Sequence, residues 1–553
     1  MEQLNDYHPR WPETVIFWGA GAPRALNMHT TADLGRALYN LADRRQPLAE
    51  RVKSEFAGSP DRQAAITDLL LILGPAAGPE AEAVRRQALD RQFPALPLAD
   101  RERRGRELKA TYDWGTLQRL IGICPGHQAA AFKLQDLFNL LDMHITGHHG
   151  FHAGGAGGPE FIMPESLPAA RDALVMIIGL LHFCDYQAAL RDRAVFNCYT
   201  GFAEILARLM LTEGGRFYRQ GHRLNQREFY LFSYAVVNMN WDPVLLWLLF
   251  NAHRTVNNEG RMLIGRPPAP LKLFHDLSYF LGLRPVGRGG PGLWQPVNEA
   301  VVQRINDPEY DGSRRFRIGK FYFPHGCSGW RECPSCGKLT MYLGDDWGYD
   351  SPGLLAPQLL PGLAGSPRKF WSATEAEAVK RGRSDVVLCV HCGTLTELRH
   401  TPLVFPSNFK GKYPPFLEEI QRDMRVALEQ AGHIVFLGYT LPPDDVVYRS
   451  LLAARQKRSG GRGPYCSVVV GRDETAPDCW LTGRPLAEYL AGPARKNKNT
   501  SFIAAVRTVQ EVFAADQVRA YARGIPEVFA GPPGKADYRK VINLLYPRGR
   551  IIR

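Results

Sequence analysis

The chain has 553 residues, 45% of them hydrophobic and 22% charged, an ordinary globular composition that excludes wholesale disorder. Its 53 glycines and 41 prolines follow no period, which excludes collagen-like and low-complexity readings, and the length corresponds to roughly three or four structural units. Lysine plus arginine exceeds aspartate plus glutamate, 68 to 55, for a net charge of +13. That balance suits a nucleic acid, an acidic partner or a phosphate-bearing small ligand. However, the basic runs at 101–106, 455–462, 495–498 and 548–553 carry no interleaved aromatics, so no motif supports nucleic-acid contact.

The first residues, MEQLNDYHPRWPET, show neither a basic n-region nor an apolar h-region of a secretory signal. The longest apolar stretches, 173–181 and 244–250, are far short of the ~20 residues that cross a bilayer, so no membrane association is expected. Ten cysteines are too few for a disulfide scaffold, and four of them form two C-x-x-C pairs. That usage points to a reducing compartment and a metal, hence a cytoplasmic protein.

In chain order, an apolar strand at 15–18 ends in Gly19-Ala20-Gly21-Ala22. Thr31 then reads as the N-cap of a helix with Leu34, Ala37, Leu38 and Leu41 on one face. Helical periodicity dominates about 60–225, read as a helical insertion, with a glycine- and histidine-rich loop at 144–158. Strands return at 231–237, leading into Asn238-Met239-Asn240-Trp241-Asp242, and at 316–323, leading into Pro324-His325-Gly326. After the cysteine pairs come a helix from about 415 to 431, a strand at 434–437, the turn Gly438-Tyr439-Thr440, a helix from about 444 and a strand at 467–470. Phe502, Val506, Val509 and Phe513 then recur at helical spacing. Alternating short strands and helices predict a parallel, doubly wound α/β sheet.

Four residue groups carry candidate chemistry. Cys333/Cys336 and Cys389/Cys392 offer four thiolates in two knuckles, the donor set of a structural zinc, with residues 337–388 looping out between them. Gly19-Ala20-Gly21 after a strand brings backbone N–H groups close to a phosphate. Arg24, however, stands where a dinucleotide fingerprint needs its third glycine, which argues against an ordinary nicotinamide dehydrogenase. Asn240 and Asp242 follow a strand end, where they either face a ligand crevice or form an Asx turn into the next helix. His325, between Pro324 and Gly326, is a general base or a turn residue. His144, His148, His149 and His152 sit among glycines without a carboxylate or cysteine at a defined spacing, and read as loop rather than metal site.

Taken together and in this order, these segments resemble the sirtuin family across about 12–60 and 230–475. The resemblance implies a Rossmann-like domain that binds NAD+ beside a zinc module. It places Gly19, Ala20, Gly21 and Ala22 along the pyrophosphate and Asp242 on the nicotinamide carboxamide. Asn240 would orient the ribose or the attacking water, His325 would be the base, and Gly438 and Thr440 would contact the adenosine side. The chain departs from sirtuin deacylases where Ala25-Leu26-Asn27-Met28-His29-Thr30 replaces Gly-Ile-Pro-Asp-Phe-Arg, and where Met239 replaces a glutamine. It departs again where Val404-Phe405-Pro406-Ser407-Asn408-Phe409 replaces the Phe-Gly-Glu strand that pairs with an acylated peptide. The stretch 402–412, with 436–444, is instead similar to the divergent sirtuin-like domains of bacterial anti-phage systems. Those domains hydrolyse NAD+ to nicotinamide and ADP-ribose.

The resulting expectation is a Rossmann-like domain in three pieces, 1–60, 226–325 and 401–480. It is interrupted by the helical insertion 61–225 and the zinc module 326–400, and followed by a helical segment 481–553. The expected activity is NAD+ hydrolysis in anti-phage (abortive-infection) defence, with zinc as a structural metal and an oligomer or partner protein gating the enzyme. A protein deacylase and a non-catalytic NAD or ADP-ribose sensor or scaffold are the alternatives.

Overall fold

A computed structural model describes residues 12–42, 47–58, 60–74, 78–126, 131–155, 158–219, 234–259, 272–276, 282–285, 315–343, 373–374, 377, 386–389, 392–397, 402–407, 409, 414–442, 445–458, 463–492 and 500–547. The centre of the molecule is an eight-stranded sheet. Its strands are β1 (Thr14–Trp18), β4 (Tyr234–Asn238), β5 (Lys272–Asp276), β7 (Arg315–Tyr322), β12 (His433–Leu437), β13 (Tyr465–Val469), β14 (Leu481–Thr482) and β15 (Val518–Ala520). Their order across the sheet is β14-β15-β13-β12-β1-β4-β7-β5, and every pairing is parallel except that of β14 with β15. The expected α/β class with a mostly parallel sheet is therefore what the chain adopts.

From Val15 to Trp18, β1 is apolar because both faces are covered. Phe17 stacks on Tyr439 with ring centroids 5.5 Å apart and meets Tyr448 edge-on at 6.3 Å. Trp18, on the opposite face, meets Tyr199 at 6.2 Å and Phe202 at 6.4 Å. A strand buried on both sides reads as a continuous hydrophobic run rather than an alternating one.

The helices preceding β4 are α1 (Thr31–Ala42), α2 (Pro47–Glu55), α3 (Pro60–Leu73), α4 (Pro79–Gln92), α5 (Leu98–Thr111), α6 (Trp114–Ile123), α7 (Leu134–Gly147), α8 (Ser166–Ala189) and α9 (Arg193–Arg219). Those that follow are α10 (Val244–Glu259), α11 (Pro415–Gln430), α12 (Val446–Arg458), α13 (Gly483–Ala491), α14 (Thr500–Gln510) and α15 (Tyr538–Leu545). Two local expectations shift. The cap of α1 is Thr30, not Thr31: Thr30 Oγ1 accepts from the Asp33 N–H at 3.3 Å while Asp33 Oδ2 accepts from the Thr30 N–H at 3.0 Å. This reciprocal box satisfies two donors at the helix start. The histidine-rich stretch is also not simply a loop. α7 runs to Gly147, left-handed His148 ends it, and β2 (Phe151–Gly155) pairs antiparallel with β3 (Gly158–Ile162).

α8 and residues 193–212 of α9 are long and apolar enough to cross a membrane, yet 78% and 61% of those windows are buried within the protein. They are core helices here, with α9 packed against α10, β5 and β7. Beside the sheet, β8 (Trp330–Glu332) and β9 (Leu339–Leu343) form an antiparallel pair, with β6 (Gly282–Pro285) parallel to β9. β10 (Val386–Leu388) pairs with β11 (Leu395–Glu397). The basic runs at 495–498 and 548–553, and residues 231–233 of the expected second strand, lie outside the described residues.

Candidate functional site

The strand registers explain how motifs distant in sequence meet. Trp18 is level with Asn238 of β4 and with Leu437 of β12, and Val237 is level with Tyr322 of β7. The turns that leave these strands, at Gly19, Met239, Phe323 and Gly438, therefore start side by side at the carboxyl end of the sheet. The chain returns to opposite sides of β1, toward β4 in one half and toward β12 and β13 in the other, so the strand order reverses there. Ligand crevices of open α/β sheets form outside the strand ends at such a reversal.

A cavity of about 800 Å³ occupies that place. Ala20, Gly21, Asn240, Asp242, His325, Gly438 and Thr440 all line it, and Gly19 and Ala22 frame the first turn beneath. The two glycine turns touch backbone to backbone: Gly19 N–H donates to Leu437 O at 3.0 Å and Gly21 N–H to Gly438 O at 2.9 Å. A Cβ on Gly19 would lie 2.5 Å from the Gly438 carbonyl oxygen. A Cβ on Gly438, whose φ is +68°, would lie 2.0 Å from the Ala22 nitrogen. The glycines are thus required by the approach of one turn to the other, whatever the cavity holds.

Asp242 is both of the things its sequence context allowed. Its Oδ1 accepts from the Val244 N–H at 3.2 Å, an Asx turn opening α10, and the residue lines the cavity. Burial pushes its carboxyl up to about 6, and the negative charge of Asp185 adds to the rise against the lowering hydrogen bond from Val244. Asn238 shapes the turn: its Nδ2 donates to Asp242 O at 2.9 Å and its Oδ1 accepts from the Asn240 N–H at 3.1 Å. Asn240 is buried, and its side-chain amide is turned toward the Asp242 carboxylate, whose charged form it favours.

His325 is half-buried. Its Nδ1 sits 3.4 Å from the Met239 carbonyl and its Nε2 3.4 Å from the Tyr448 hydroxyl. A carbonyl only accepts, so this geometry puts the proton on Nδ1 and leaves Nε2 as the basic nitrogen. Tyr448, on α12, carries no sequence signal beyond being aromatic. The segment 403–405, which meets the His325 backbone, is tied down on several sides. Val404 N–H donates to His325 O at 2.9 Å, Trp241 Nε1 donates to Val404 O at 3.2 Å, and Arg171 donates to Leu403 O at 2.6 Å. Phe405 stacks on Phe138 of α7 at 4.2 Å.

Sequence reasoning missed a group brought in from the helical region. Asp185 of α8, fully buried, accepts from the His29 N–H at 2.8 Å and from His29 Nδ1 at 2.7 Å, and pairs with Arg51 of α2. Arg51 also lies 3.0 Å from His29 Nε2. His182, one turn before Asp185, is buried and lines the cavity together with His29. Burial holds the His182 imidazole down at about 4, so it is neutral at physiological pH. The signal was present: His182 and Asp185 are polar residues three apart within the apolar run 173–186 of this helix.

Cys333, Cys336, Cys389 and Cys392 bring their sulfurs within 4.8 Å of one another, close enough to hold one metal ion such as zinc. Among the described residues this is the one such cluster. The two halves are alike. Gly337 N–H donates to Cys333 O at 2.8 Å and Gly393 N–H to Cys389 O at 3.0 Å, with left-handed glycines at φ +66° and +73°. Each C-x-x-C-G turn thus curls both of its thiols toward a common point. His144 and His152 instead rest on Phe151 and Phe161, at 4.2 and 5.0 Å.

Compared with known proteins, the chain matches no protein-family model and no curated sequence.

Proposed function

We propose that this chain is a sirtuin-like NAD+ glycohydrolase, built on a Rossmann-like doubly wound sheet, that splits NAD+ into nicotinamide and ADP-ribose. One observation carries the reading: the seven cavity-lining residues singled out from four separate motifs share one cavity at the reversal of strand order. In this reading the dinucleotide lies across the two glycine turns with its pyrophosphate near Gly21 and its nicotinamide toward Asp242. The glycosidic bond breaks through an oxocarbenium-like state as nicotinamide leaves. His325 Nε2 takes the proton of the attacking water or of a ribose hydroxyl, and the Asn240 side chain, which lines the same cavity, orients that group. Val404 supports hydrolysis over deacylation. Its N–H and C=O are both engaged within the chain, so the backbone at Val404 is not free to pair with an acylated peptide.

The four cysteines fit zinc by donor type and by spacing, and a closed tetrathiolate site is structural rather than catalytic. Cytoplasmic placement, gating by an oligomer or partner, and a role in anti-phage defence belong to the same proposal, because uncontrolled NAD+ loss would harm the host.

The test is mass-spectrometric analysis of NAD+ incubated with purified protein and with its His325→Ala and Asn240→Ala variants. Nicotinamide and ADP-ribose are expected from the unmutated protein, with a loss of about a hundredfold or more in each variant. Full turnover by His325→Ala would sink the mechanism, and absence of NAD+ binding by calorimetry would sink the assignment.

A further inference from the structure

The helical region between β1 and β4 does more than cover the sheet. α8 lays His182 along the cavity wall, buried to 4% exposure, and its Nδ1 has no hydrogen-bond partner among the described residues. A buried imidazole nitrogen without a partner loses its hydration and gains nothing in return. Asn240 lines the same cavity, with its amide turned toward Asp242. An imidazole left without a partner on a cavity wall is completed by a polar group of a ligand lying against it. The placement of His182 is fixed from behind. Asp185, one turn further along α8, takes two donors from His29 and pairs with Arg51, which pins the segment after the first glycine turn to this helix.

We propose that His182 is a ligand-contacting, specificity-determining residue: its imidazole hydrogen-bonds the amide- or hydroxyl-bearing end of the ligand that lies beside Asn240, and not the adenosine end. The inference rests on the NAD+ reading above and adds to it a residue from outside the resembling segments. The chemistry required of the ligand is a carboxamide or a ribose hydroxyl. ADP carries neither the nicotinamide nor the second ribose, so it serves as the internal control.

The experiment uses the full chain carrying His325→Ala, so that NAD+ survives the measurement, and compares it with the same chain carrying His182→Leu or His182→Asn in addition. Dissociation constants for NAD+ and for ADP are measured by calorimetry, and melting temperatures are taken without ligand. Leu removes the imidazole and is expected to weaken NAD+ about tenfold, the worth of one net hydrogen bond, while leaving ADP unchanged. Without ligand, the Leu variant is expected to melt no lower than its parent, because an unpaired buried polar group has been removed. Asn restores a polar head near the position of Nδ1 and should recover most of the NAD+ affinity. Equal affinity of the Leu variant and its parent for NAD+ overturns the proposal. Equal weakening of NAD+ and ADP, or a markedly lower melting temperature, assigns His182 a structural role instead and overturns it as well. ADP binding by every variant shows that the fold is intact. If the parent binds ADP but not NAD+, both this inference and the assigned activity fall. If NAD+ binds and only the Leu effect is missing, this inference falls alone.

Discussion

Gly21 donates its backbone N–H to the carbonyl of Gly438 at 2.9 Å, joining the first turn of the chain to one that follows the fifth parallel strand in sequence. The bond is possible only because neither residue carries a side chain between the two backbones. Gly438→Ala would force a left-handed backbone, costing about 1–2 kcal/mol, and would set a methyl 2.0 Å from the Ala22 nitrogen. The expected loss exceeds ~2 kcal/mol in urea unfolding. Gly483→Ala is the control: its φ is +49° but nothing lies within 4 Å of the new methyl, so backbone strain of about 1 kcal/mol should be the whole cost.

Two buried groups in the cavity titrate abnormally and in opposite directions. Asp242 is raised from 3.8 to about 6 by burial, with Asp185 adding to the rise. As pH falls from 6 toward 3.8, the folded state takes up this proton before the unfolded state does, so stability rises. His182 is lowered from 6.5 to about 4 by burial, so as pH falls through that window the unfolded state takes the proton first and stability falls. Each effect is on the order of 3 kcal/mol, and in the unmutated chain they oppose each other. Asp242→Asn should unmask a loss on acidification and His182→Leu a gain, each relative to the parent, in melting curves taken between pH 4 and 7. Parallel curves for all three proteins would show that the two groups are not shifted as described.

At pH 8, Asp242→Asn should be more stable than the parent, because the amide keeps the bond to the Val244 N–H and sheds a buried charge. Weaker NAD+ binding is expected alongside. A variant less stable than its parent at that pH would count against the cost assigned to the buried carboxylate.

Asp185→Ala should cost about 3 kcal/mol, because it strands the Arg51 guanidinium and two His29 donors. Asp185→Asn, which keeps one acceptor oxygen for His29, should recover part of that loss. Thermal unfolding separates the two.

Elemental analysis should find one zinc per chain, and Cys333→Ser together with Cys389→Ser should abolish it. The main sheet should keep its helical and strand signal in circular dichroism, because the cysteine turns stand on separate small sheets.

Local signals were readable where a few adjacent residues suffice. The glycine turns, the C-x-x-C-G knuckles and the polar residues after β4 and β7 each announce a strand end or a metal-binding turn by themselves, and the strand registers then bring the first and last of these to one place. Residues that depend on helices packing over the sheet could not be read in this way. Tyr448 is one aromatic among 21 tyrosines in the sequence, and nothing near it foretells the His325 contact. His182 and Asp185 lie in the intermediate position. Their i, i+3 spacing on an apolar helix marks a polar stripe turned inward, but its partners, His29 and Arg51, come from distant segments that only the folded chain brings alongside. The left-handed His148 and the hairpin after it were hidden for the opposite reason: glycine-rich composition matches a loop as well as it matches β2 and β3.

β1 is the fourth of the seven parallel strands from either end, flanked by β4 and β12, and the cavity needs the turn beyond β12 as one wall. During synthesis, a ribosome-bound chain that has emerged only through Gly326 owns one glycine turn, His325 and the Asn240 turn, but no Gly438 to close against them. A truncated or stalled product therefore has no assembled cavity, and the chemistry proposed here would begin only after most of the polypeptide has been made.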